Sequence, residues 1–170
     1  MPAVVLLLIA LGMVVAESVL LSVFSVQIWA VQTPLILAIY LGLDRDFVTG
    51  GLILTAMFVP VELLIGGVPG VYSLGLAVVF LMLQISRSSL QRGWGIARGI
   101  TAVLAALVHG FVMLLALFMI GEGGSRLTAS VGWQMWAAAP VVGLATVLVG
   151  KAFARVDVMM DPRGGDTGLN

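Results

Sequence analysis

Six apolar runs divide this chain, each close to the roughly 20 residues that a helix needs to cross about 30 Å of hydrocarbon. They cover residues 3–24, 26–43, 47–65, 70–86, 96–120 and 131–152, and the connections between them are too short to hold a soluble domain. Apolar residues fill 61% of the 170 positions and charged ones 9%, too little polar surface to solvate a compact globule. The expected fold is an all-α integral membrane protein, a six-transmembrane-helix bundle forming one domain over residues 1–155. The residues after Met160 carry Gly, Asp and Pro with almost nothing apolar. They cannot offset their ordering entropy, and residues 156–170 are expected as a flexible cytoplasmic tail.

Charge sets the orientation. With both ends cytoplasmic, the inner segments hold Arg45, then Arg87, Arg92 and Arg98, then Lys151, Arg155 and Arg163, leaving only Arg126 outside. That is the sorting expected of cytoplasmic loops. The second run is the weakest, because Pro34 interrupts it and only about ten residues follow, too few to span alone. A re-entrant second run would leave five spans and move only the N-terminus outside. Val14-Val15-Ala16 has the look of a signal cleavage site, but no basic segment precedes it, so the first run reads as a retained helix. Trp29, Trp133 and Trp136 fall near the outer interface and Trp94 near the inner one, where amphipathic rings prefer to sit.

Zero formal charge argues against nucleic-acid binding through a basic field. The absence of cysteine excludes disulfides and thiolate metal sites, and no metal, cofactor or catalytic constellation is read from the residues.

Helices in lipid associate through close backbone approach. Gly95, Gly99, Ala102, Ala106 and Gly110 make a small-residue stripe on the fifth helix, and Ala139 and Gly143 flank Pro140 on the sixth. Packing inside the bundle is the plain reading; a groove for a partner's transmembrane helix is the sharper one. Ser18, Ser22 and Ser25 form a polar stripe on the first helix, read as a seam.

Ionisable residues in hydrocarbon are costly, about 2.5 to 3.5 kcal/mol at the centre on insertion scales, and often functional. They are Glu17, Glu62 and His109. His109 reads as a neutral imidazole bonded across a helix seam, and Glu17 as protonated or wetted near the outer boundary. Glu62 stands one turn before Gly66, and Gly66 one turn before Gly70. Its carboxylate could accept backbone N–H groups freed by that glycine turn and hold two helix ends together. On this reading Glu62→Asp is mild and Glu62→Leu disruptive.

The order of these features resembles the rod shape-determining protein MreD family. The features are a helix after Thr33-Pro34 ending in Ile39-Tyr40-Leu41, a third helix through Gly50-Gly51, then Glu62, Gly66 and Gly70. A fourth helix from Leu74-Gly75 and a Trp-bearing last helix closed by Lys151 and Arg155 complete it. The resemblance covers roughly residues 30–155, and this chain has Glu62 where the family usually has Asp. It implies a non-catalytic scaffold of the bacterial inner membrane that binds the bitopic protein MreC and couples MreB to peptidoglycan synthesis by RodA and a class B penicillin-binding protein. Partners would be met through lipid-facing helices and the basic positions Arg87, Arg92, Arg98, Lys151 and Arg155, read first as topology determinants and anionic-lipid contacts. Pro34, Glu62, Gly66, Gly70, Gly99, Ala106 and Gly110 are the structural or partner-binding candidates.

A second reading, from another class, is the substrate-binding S component of an energy-coupling-factor vitamin transporter, a six-helix protein whose fold the MreD family shares. Those proteins often carry Ala-x3-Ala on the first helix, where this chain has Gly12-x3-Ala16. A vitamin pocket also needs several convergent polar groups, and the outer loops offer few. A proton-coupled exporter or channel subunit is a third reading, resting on Glu17, Glu62 and His109 alone.

Overall fold

A computed structural model of the chain describes residues 3–24, 32–65, 68–90, 96–121, 136 and 139–152. Among them every element of secondary structure is helical: α1 (Ala3–Phe24), α2 (Thr33–Asp44), α3 (Phe47–Ile65), α4 (Val71–Leu90), α5 (Ile96–Met119) and α6 (Ala139–Ala152). Two of these, over Phe47–Leu64 and Ala97–Met119, are long and apolar enough to cross a membrane, and those windows are only 28% and 33% buried.

Local chemistry sets the helix ends. Thr33-Pro34 opens α2 with proline in the first turn, where its missing N–H is not needed. The helix stops at Asp44 because Arg45 turns extended (φ −113°, ψ 154°). Asp46 then starts α3, its Oδ2 accepting the Thr49 amide at 2.8 Å in an N-cap. Pro60 lies inside α3 without ending it, although it removes one backbone donor there. Gly70, at φ +87°, makes the turn into α4, and Gly121, at φ +91°, closes α5, a left-handed conformation that glycine adopts without Cβ strain.

Three boundaries differ from the apolar runs. α2 begins at Thr33 rather than near residue 26, and residues 25–31 lie outside the described ones. α4 runs on to Leu90, four residues past the end of its apolar run at 86. The described part of the last run is 139–152.

Helices consecutive in sequence run antiparallel, as cross-contacts at both ends require. Glu17 of α1 reaches the start of α2, and Glu62 of α3 the start of α4. Gln84 of α4 reaches the end of α2, Arg98 of α5 also meets the end of α2, and Gly150 of α6 lies against Arg98. The odd-numbered helices therefore start, and the even-numbered ones end, at one face of the bundle, the arginine end.

α2 is the axis of the bundle. Every residue from Thr33 to Leu43 is buried, so the helix is apolar all round rather than along a stripe. It packs most extensively against α4, and also against α1, α3 and α5. Gly42 permits the close α2–α4 approach: a Cβ there would stand 2.9 Å from the Leu83 Cβ. Leu6, Ala10 and Val14 of α1, Met57 and Val61 of α3, and Ala102 and Ala106 of α5 complete the core. The other five helices all turn large apolar side chains outward, among them Leu8, Leu63, Ile85, Phe111 and Leu144.

Candidate functional site

Each ionisable residue expected inside the bundle belongs to a polar layer, assembled where α2 and α4 begin. Glu17 Oε2 accepts the Thr33 amide at 3.1 Å, and the Thr33 side chain bonds the same carboxylate. Glu62 Oε1 accepts both the Ser73 amide at 2.8 Å and the Ser73 hydroxyl at 2.6 Å. A helix start leaves four backbone N–H groups without an intrahelical acceptor, and an anion there also meets the positive end of the macrodipole. Here both starts are capped by a carboxylate from the preceding helix instead of by a local side chain. Gln32, before α2, makes no side-chain cap.

Tyr72 of α4, one residue before Ser73, is buried. Its ring meets the His109 imidazole edge-on, centroids 4.8 Å apart at 75°. His109 is 1% exposed; it donates from one ring nitrogen to the Tyr72 backbone carbonyl, while Nε2 has no partner among the described residues. The far edge of the ring lies on Gly75, where an added Cβ would stand 2.7 Å from Cδ2 and 2.9 Å from Nε2. Histidine and glycine thus fit as a knob and a recess between α5 and α4.

A second polar cluster closes the arginine end. The last carbonyls of α2 need donors, and α4 supplies them. Arg45 O accepts Gln84 Nε2 at 2.8 Å and an Arg87 nitrogen at 2.9 Å. Arg98 pairs with Asp44, and its guanidinium rests on α6 at Gly150, where a Cβ would stand 3.5 Å away. The amide of Thr49 holds the Asp46 carboxyl below the usual carboxylate range, with a smaller contribution from Arg87.

The remaining sequence-marked residues take structural places. Pro34 is buried in the first turn of α2. Gly99 and Gly143 bring α5 and α6 together: a Cβ on Gly143 would stand 3.1 Å from Gly99 O and 2.6 Å from Val103 Cγ2. Ala106 and Gly110 are buried further along α5, and Lys151 is exposed. Gly66, Arg92, Arg155, Gly95, Trp29, Trp94, Trp133, Arg126 and Arg163 lie outside the described residues, and so do the side chains of Ser18, Ser22 and Ser25. The sequence reading missed three members of the layer, Thr33, Tyr72 and Ser73. The bonds foreseen for Glu62 were to backbone N–H groups alone, yet the Ser73 hydroxyl is also hydrogen-bonded to it. The available signal was positional: Ser73 stands in the first turn after a glycine turn, and Thr33 before a first-turn proline.

Among the described residues no three His, Asp or Glu side chains converge as metal ligands. No protein-family model, curated protein or solved structure matches the chain.

Proposed function

We propose that the chain is a non-catalytic scaffold of the bacterial cell-elongation complex. In this reading it is a six-span inner-membrane bundle, similar to the MreD family, with both termini cytoplasmic. It binds an MreC-like bitopic protein and through it supports MreB, RodA and the class B penicillin-binding protein in peptidoglycan synthesis and cell shape. One observation carries the reading: both carboxylates inside the bundle already cap helices of the same chain. Groups that would otherwise suggest transport or chemistry are engaged in holding α1 to α2 and α3 to α4.

Two further features support a membrane scaffold. Five helices turn large apolar side chains outward, far more than the patches that water-soluble monomers expose. The described basic residues Arg45, Arg87, Arg98 and Lys151 all gather at the end where both termini of the bundle lie, as cytoplasmic placement requires. Partners would meet the lipid-facing surfaces of the outer five helices.

Affinity purification of the tagged chain from mildly solubilised membranes tests this. Recovery of a bitopic MreC-like protein supports the scaffold. Recovery of an ATPase-bearing module instead, or thermal stabilisation of the purified chain by a vitamin, would replace it with the S-component reading.

A further inference from the structure

We propose that the outward face of α3 around Ala56 is the docking surface for a transmembrane helix of the bitopic partner, one that presents a hydroxyl or side-chain amide as hydrogen-bond donor. The surface deepens the scaffold reading above and depends on it. Val48, Leu52, Thr55, Ala56, Val59 and Leu63 are all exposed and recur at helical spacing, so they form one stripe. Pro60 lies inside this helix and has no N–H. The Ala56 carbonyl, four residues back, therefore lacks its α-helical donor. Among the described residues no side chain donates to it, and the adjacent Thr55 hydroxyl goes to Gly51 O at 2.8 Å instead.

Depth selects the donor. Thr55 and Ala56 are the two middle residues of the Phe47–Leu64 span, so in a bilayer they stand near its centre, where there is no water and lipid chains carry no donor. Backbone groups freed there by proline are met by neighbouring helices or by Ser and Thr side chains. α1, α2 and α4 pack on the other sides of α3, whereas Ala56 and Val59, which flank the carbonyl, are exposed. The stripe also has the shape that helices in lipid pack on, with small Ala56 between Leu52 on one side and Val59 and Leu63 on the other. α5, by contrast, turns out Ile100, Leu104, Phe111 and Leu115, a bulky surface that lipid chains cover. A second copy of this chain fits less well, because its α3 brings another acceptor and a hydroxyl already bonded within its own helix.

The test places a photo-crosslinking phenylalanine at Leu52 or Val59 of α3, or at Leu104 of α5, in the tagged full chain in native membranes, and identifies the adducts by mass spectrometry. A single-span protein is expected from both α3 positions and not from Leu104. Pro60→Ala restores the N–H that the Ala56 carbonyl lacks. It should cut recovery of that protein with the tagged chain about three- to tenfold, the range of one hydrogen bond between helices in lipid, without lowering the melting temperature. Ala56→Leu, at an exposed position, should cut recovery as far by filling the gap, and it keeps the test readable if Pro60→Ala disturbs the nearby Glu62 cap. Phe111→Ala on α5 should leave recovery unchanged. Full recovery in Ala56→Leu or in folded Pro60→Ala, or adducts from Leu104 alone, overturns the proposal and leaves the scaffold reading intact. Adducts joining two copies of the chain at Leu52 and Val59 overturn it as well. Recovery of no single-span protein by wild type strikes the scaffold reading, and this surface with it.

Discussion

Replacing Glu62 tests the bond between α3 and α4 most directly. Its Oε1 accepts the Ser73 amide at 2.8 Å and the Ser73 hydroxyl at 2.6 Å. A hydrogen bond to a charged group contributes about 1.5–3 kcal/mol. The two bonds share one oxygen and Glu62 is partly exposed, so about 2–4 kcal/mol in total is expected to disappear in Glu62→Leu. Glu62→Gln keeps an acceptor and should lose about 1–2 kcal/mol, the difference between charged and neutral bonds. Glu62→Asp withdraws the carboxylate by about 1.5 Å, one C–C bond, out of reach of both donors. The mild effect expected from the sequence is revised accordingly, and the predicted order of damage is Gln, then Asp, then Leu. Reversible unfolding in mixed micelles measures each variant, and a double-mutant cycle with Ser73→Ala isolates the hydroxyl. Glu62→Leu within 0.5 kcal/mol of wild type, a margin typical of unremarkable surface changes, would refute the cap.

Three other outcomes are expected. Gly75→Ala should destabilise by about 1–3 kcal/mol, as overpacking does, because its Cβ would overlap a His109 ring held by Tyr72; His109→Ala should restore much of that in a thermal-melt comparison. Gly143→Leu should separate α5 from α6, since even a Cβ meets Val103 at 2.6 Å, and faster proteolysis of α6 is the readout. Asp46 has its pKa lowered in the fold by the Thr49 amide. Its contribution is present above the unfolded carboxylate range and fades as pH falls through the lowered value; Asp46→Asn should remove this part of the acid sensitivity in a pH series of melts.

Much of the architecture was legible because apolar length and charge placement are local properties. The bounds of α1 and α3 coincide with their runs, and the break between the second and third runs, residues 44–46, falls where α2 gives way to α3. The partner of Glu62 could be foreseen in kind, a backbone N–H freed at a glycine turn, because acid and turn are near in sequence. The partner of Glu17 could not, since Thr33 is sixteen residues away and no short-range spacing links them. Arg87 and Arg98 read from sequence as outward contacts, yet both also bond the end of α2, a use visible only when four helices are brought together. The central position of α2 was hidden for the same reason: its length marked it as a weak span, while its burial depends on what surrounds it.

That sealed position bears on biogenesis. A segment whose every residue from Thr33 to Leu43 is buried takes its surroundings from other helices, so its place in the fold depends on companions. α4, its largest neighbour, emerges from the ribosome later than α2 itself. Until residues 71–90 are present the largest contact of α2 is missing, so a chain truncated before α4 lacks more of that shelter than one deprived of any other single helix.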